Sequence, residues 1–293
     1  MRKNLIVASC FLALLAMSCG GEIDDPADIG IDQDEFSDGA GVLRGHEDVL
    51  RFSIEFANSL LNSEFGIAQY YAPVPYGEAC DSSHTMLHGN CVSDTPDSTM
   101  TSYYGVSSGA WQTDGTIMDL HFLRDYSGKG VYGAKASCQR SRARIINATS
   151  IAMQHWQAGD RAGAEYWIGH ATHIIHDSFS AAHTTRSGTA LRTLKDVCTY
   201  GRSVRNVCYH QTIDTRDRVW NSNLLCQLDP NNRSWGCLTT YAQSAAWATG
   251  GYLRVVGRHV QGGFTGDLTA ALNAYFDAAS DGYAGFHNCG TLK

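Results

Sequence analysis

The sequence predicts an all-α protein, a single multi-helix domain with disulfide-linked loops, and three observations carry that expectation. Apolar residues recur at helical spacing in several long stretches, period-two alternation is scarce, and eight cysteines follow residue 20. With 43% hydrophobic and 17% charged residues among 293, the chain can bury one sizeable core.

The elements follow in order. Residues 1–18 read as a lipoprotein signal peptide. Arg2 and Lys3 give a positive start, the apolar run Leu5 to Met17 is too short to span a bilayer, and Ala16-Met17-Ser18-Cys19-Gly20 puts a small residue before a cysteine. That pattern makes Cys19 the candidate lipidation residue; cleavage as an ordinary signal peptide is the alternative. Either way the mature protein is expected to be exported, anchored at the outer or cell-surface membrane or released. Residues 19–40 hold eight acidic side chains and no Lys or Arg, which describes an acidic flexible tether. Residues 41–293 form the expected folded domain. They carry 21 acids against 20 bases, so there is no net basic field of the kind that drives sequence-independent nucleic-acid binding.

Val49, Leu50, Phe52, Ile54, Phe56, Leu60 and Leu61 make a mostly helical stripe from His46 onward. Residues 73–110 are rich in Gly, Ser, Thr and Pro and read as a long cross-linked loop. Helical patterns return at about 136–158, 161–180, 207–225, 238–260 and 266–279, with Gly159-Asp160 a stop and cap between the first two. Cys80/Cys91, Cys198/Cys208 and Cys226/Cys237 are local pairs, which leaves Cys138 and Cys289 for a long-range bond; spacing alone does not fix this connectivity. No C-x2-C spacing suggests thiolate metal ligation.

The chemistry concentrates in Gly169-His170-Ala171-Thr172-His173-Ile174-Ile175-His176-Asp177-Ser178-Phe179-Ser180-Ala181-Ala182-His183. His173 and Asp177 are four apart, so a helix presents both on one face, with His170 a turn earlier. Apolar neighbours Trp167, Ile168, Ile174, Ile175 and Phe179 make this a largely buried helix. Ionisable groups gathered there need partners or a metal, and an imidazole–carboxylate set suits Zn²⁺. His210 and Asp214 repeat the His-x3-carboxylate spacing. Asp114 and His121 form a further candidate pair, and His46-Glu47 opens the first helix. Asp119 is an alternative to Asp114, and His170 and His176 are candidates for supporting the ligands by hydrogen bonds. Tyr70, Tyr71 and Trp111 read as core rather than substrate-pocket residues. Gly105-Val106-Ser107-Ser108-Gly109 matches the serine-hydrolase elbow, but Thr99 to Tyr104 makes a poor buried strand to precede it.

These segments resemble the zinc-dependent phospholipases C, whose superfamily includes single-strand-specific nucleases. The resemblance rests on His173, Asp177 and His183 at His-x3-Asp-x5-His spacing, on His210 and Asp214, on Asp114 and His121-Phe122, and on Gly45-His46, in that family's order across residues 41–280. It implies a cluster of two or three Zn²⁺ ions. Asp114, His121, His173 and Asp177 would hold one; His183, His210 and Asp214 a second; His46 and a bridging Asp177 would serve a third. It further implies phospholipid phosphodiester hydrolysis by a metal-activated hydroxide, with Asp114 orienting it or acting as base. The chain is separately expected to be a monomer, with the Cys19 anchor holding it to the membrane. Three departures stand out. No free amino terminus is expected near Gly41 to complete the third site, no Pro precedes His183, and Asp214 stands where many phospholipases have Glu, as in the nuclease branch. A single-strand nuclease acting on nucleic acid, or a non-catalytic metal-binding surface lipoprotein, are the alternative readings.

Overall fold

In a computed structural model, the described residues are 45–76, 78, 80, 85–111, 114–124, 133–198, 234–277 and 286–292. All of them belong to one compact unit. The expected leader and tether, Cys19, Gly41, and the helical stretch expected at 207–225 with His210 and Asp214 lie outside them.

Seven α-helices and one two-stranded sheet make up the regular structure of the described residues: α1 His46–Phe65, α2 Thr85–Cys91, α3 Ser98–Tyr104, α4 Ala134–Gln157, α5 Arg161–Asp177, β1 Thr184–Ser187, β2 Thr193–Val197, α6 Thr240–Gln261 and α7 Leu268–Asp277. The helical expectation therefore holds. None of these helices is long and apolar enough to cross a membrane.

Their ends follow from local chemistry. Glu47 and Asp48 in the first turn of α1 favour the positive end of the helix dipole, and Gly66 ends the helix in the left-handed conformation with its N–H on the Asn62 carbonyl. Asp97, Asp160 and Thr239 cap α3, α5 and α6 by accepting the backbone N–H groups of Met100, Gly163 and Ala242. Gly159, at φ 80°, turns the chain between α4 and α5 at the expected stop.

Helix α5 is central, packed by α2, α4 and α6, while α1 lies along α6. The α2–α5 crossing depends on glycine. A Cβ on Gly169 would sit 2.0 Å from the Met86 carbonyl oxygen, and one on Gly89 1.9 Å from that of Tyr166, so only hydrogen fits at either place. Asn90 Nδ2 then reaches Thr172 Oγ1 at 2.9 Å and ties the two helices. A single large apolar cluster fills the interior, with Trp111, Tyr71 and Phe179 fully buried in it.

Two expectations change. The stretch 73–110 is not one long loop: it contains α2 and α3, too short and too rich in Ser, Thr and Gly to show a helical stripe. An antiparallel hairpin follows α5, pairing Thr184 with Val197 and Ser187 with Thr193. Cys80–Cys91 and Cys138–Cys289 are disulfides as expected, the latter closing 151 residues of sequence. Cys198 and Cys237 are also disulfide-bonded; Cys208 and Cys226, their expected partners, lie outside the described residues.

Candidate metal centre

Five of the eight expected ligands come together. His46 opens α1, His121 ends a 3-10 turn at Met118–His121, His173 and Asp177 share a face of α5, and His183 sits in the turn before β1. All five are buried.

Asp177 is the hub. Its Oδ1 lies 3.2 Å from His46 Nε2, while its Oδ2 lies 3.2 Å from His121 Nδ1, 3.0 Å from His173 Nε2 and 3.6 Å from His183 Nδ1. Each oxygen thus faces a different imidazole set. Burial alone would raise the Asp177 pKa, but charge on His173 and His183 and hydrogen bonds from His121 and His173 hold it well below the usual carboxylate range. The pocket thus favours the carboxylate with positive charge around it.

A second carboxylate completes the group, and it is Asp94. Its Oδ1 is 3.5 Å from His173 Nε2 and 3.7 Å from His121 Nδ1, and its Oδ2 is 3.9 Å from His46 Nε2. Its side chain is 26% exposed, against 4% or less for His46, His121, His173, His183 and Asp177, so the cluster opens to solvent at Asp94. Asp114 stands elsewhere: its Oδ1 accepts from the backbone N–H and hydroxyl of Thr116 at 2.8 and 2.5 Å, closing a turn. Asp119 accepts from Nε of both Arg140 and Arg144, at 3.2 and 3.0 Å, and also stays apart. Among the described residues, Asp94 and not Asp114 is thus the second carboxylate beside these histidines.

The tautomers are legible. A carbonyl only accepts, so His183 Nδ1, at 2.5 Å from the His121 carbonyl oxygen, carries a proton, and Nε2 is the ring nitrogen that could serve a metal. His46 Nδ1 meets His176 Nδ1 at 3.2 Å; with Nε2 of His46 as a ligand atom, its Nδ1–H donates and His176 accepts. Burial, aided by charge on His46 and His173, pushes His176 well below the ordinary imidazole range, so it stays neutral for that role.

The donor set fits a metal. His121, His173 and Asp177, and likewise His46, Asp94 and His173, each bring three ligand atoms within 4.8 Å of one another. Nitrogen and oxygen ligands at that density suit Zn²⁺. Asp177 Oδ1 is buried without a hydrogen-bond partner, an unsatisfied state that a bound cation would relieve. A third grouping, Glu47 with Cys80 and Cys91, is no thiolate site, because the two sulfurs are bonded to each other.

Sequence reasoning missed Asp94, which has no neighbouring histidine and lies in the stretch read as loop. Its one signal is that it follows the half-cystine Cys91 by three residues, where the backbone is pinned. The elbow motif is excluded as expected: Gly105 is the left-handed end of α3, so a helix and not a strand precedes Ser107. Comparison of the chain with protein-family models, with curated proteins and with solved structures returns no match in any of the three.

Proposed function

We propose that this chain is a zinc-dependent phosphodiesterase of the phospholipase C kind, acting outside the cytoplasm. The observation that carries the reading is Asp177, a dehydrated carboxylate whose two oxygens face imidazoles from α1, the Met118–His121 turn, α5 and the turn beyond it. In this reading Asp94, His121, His173 and Asp177 hold one ion. His46, with Asp177 and Asp94, would hold a neighbouring ion. His183 offers Nε2 to a further ion, with His210 and Asp214 as its remaining expected ligands.

Zinc bound there supplies Lewis acidity and water made acidic enough to attack a phosphodiester near neutral pH. The chain's own contribution is positional. Asp177 keeps the imidazoles apart at fixed distances, and His176 orients the His46 ring. Asp94, at the open edge of the cluster, is the carboxylate an incoming phosphodiester meets first and the one best situated to take the proton of an attacking water. A closed structural site would bury every ligand; this one leaves Asp94 partly exposed.

Phospholipid is the preferred substrate class, supported by the leader and the Cys19 pattern, which would hold the enzyme at a membrane. A single-strand nuclease is the second reading, favoured by Asp214 in place of Glu. The test is hydrolysis of a choline phospholipid and of single-stranded DNA by the mature protein, with and without a chelator. Phospholipid cleavage that chelation abolishes and added zinc restores is expected. DNA cleavage alone would move the assignment to the nuclease, and fully metallated protein inert on both would overturn the proposal.

A further inference from the structure

His170 lies one helical turn before His173 and is fully buried, yet it is not directed at the cluster. Both of its ring nitrogens are committed: Nδ1 to Ser93 Oγ at 2.7 Å and Nε2 to the Tyr104 hydroxyl at 2.8 Å. Ser93 is the residue before Asp94. Its carbonyl oxygen accepts from Trp111 Nε1 at 2.6 Å, so its side chain and its backbone are both anchored. Tyr104 is the last residue of α3. One imidazole on α5 therefore grips the segment that joins α2 to α3, at Ser93, and the far end of α3, at Tyr104.

That segment needs such a grip. His173 and Asp177 are placed by α5 itself, whereas Asp94 stands in a turn beyond α2, its N–H on the Cys91 carbonyl oxygen. Two residues of slack separate it from the helix. A carboxylate that spans ring nitrogens on three elements at 3.5 to 3.9 Å tolerates little drift. Polar groups that orient a ligand commonly matter to metal affinity nearly as much as the ligand does.

We propose that His170 is a positioning residue, which through Ser93 fixes Asp94 over the metal centre. The inference rests on the reading of that cluster as a zinc site. It distinguishes the two arms of the imidazole: the Ser93 arm sets the metal centre, and the Tyr104 arm only holds the end of α3.

Four full-length mature proteins test it: the natural chain, Ser93→Ala, His170→Gln and His170→Asn. Asn offers a polar group near the Nδ1 position and Gln one near Nε2, so each keeps a different arm. Zinc affinity is measured by chelator competition, and the visible absorption of the cobalt-substituted protein reports ligand geometry. Ser93→Ala and His170→Gln are expected to weaken the tightest-bound zinc by about 10–100-fold and to shift the cobalt bands. His170→Asn is expected to bind like the natural chain even though it, like Ser93→Ala, gives up one buried hydrogen bond and some metal-free melting temperature, so that affinity follows the Ser93 arm and not stability. If the natural chain binds no zinc, the functional reading falls and this inference with it. If it binds zinc and Ser93→Ala and His170→Gln bind equally well, the inference alone falls. It also falls if His170→Asn loses as much affinity as His170→Gln, or if the loss in Ser93→Ala only tracks a lower metal-free melting temperature.

Discussion

Asp94 and Asp114 are the same kind of side chain, and their surroundings give them different work. Asp94 faces three imidazoles across 3.5 to 3.9 Å, whereas Asp114 closes a turn on Thr116. Asp94→Asn should therefore lower phosphodiester hydrolysis by about 100-fold or more, since it removes a charged metal ligand. Asp114→Asn should leave hydrolysis and metal content near those of the natural chain; steady-state rates and elemental analysis of both variants decide it. The family resemblance favoured Asp114, because it better fits the Asp and His-Phe segment ahead of His121-Phe122, and a motif sees only neighbours along the chain. His173, Asp177 and His183 were legible because one helix and its following turn supply all three. Acid should unfold the metal-free protein early. Burial pushes His170 down to about 3, with smaller effects of charge on His173, His121 and Arg144, and burial pushes His287 well below the imidazole range. Unfolded, both would take up protons near pH 6.5; folded, they do not. Stability is thus complete above pH 6.5 and falls as pH drops below it, by about 1.4 kcal/mol per pH unit for each such group. Urea midpoints at pH 7, 6 and 5 measure this, and equal midpoints would contradict it.

The helices placed the site, and their boundaries were the easier part to anticipate. Gly159-Asp160 separates α4 from α5 as the capping chemistry requires, and the apolar stripe after His46 becomes α1. Helices α2 and α3 were not legible, since seven residues of mixed Ser, Thr and Gly carry no period; α2 packs along α5, and α3 meets it through the Tyr103 and Tyr104 rings against Trp167 and His170. The hairpin after α5 was equally hidden. It matters because the Cys198 N–H reaches the His183 carbonyl oxygen at 2.7 Å and holds the turn that carries this histidine. At this scale the decisive position is Gly169. A methyl group there meets the Met86 carbonyl oxygen at 2.0 Å, so Gly169→Ala must push α2 away from α5. The expected cost is about 1–3 kcal/mol in urea unfolding, from overpacking. Zinc affinity should fall in parallel, because Asp94 hangs from the end of α2.

For the whole molecule, the Cys138–Cys289 bond joins α4 to the C-terminal segment, where His287 Nε2 lies 2.6 Å from the hydroxyl of Ser178, the residue after Asp177. Arg186, pushed down by burial to about 9, binds the carbonyl oxygens of Ser178 and Phe286 and so clamps the same two segments. Replacing both cysteines with Ala should cost about 2–5 kcal/mol of stability, read as a lower melting temperature, since the bond closes a loop of 151 residues. The account stands or falls with the metal. X-ray absorption at the zinc edge, on full-length mature protein equilibrated with zinc and dialysed, probes it directly. Bound zinc should show nitrogen and oxygen neighbours at about 2.0–2.2 Å with imidazole scattering and no sulfur at about 2.3 Å. Protein that retains no zinc, or zinc held by sulfur, would contradict the assignment.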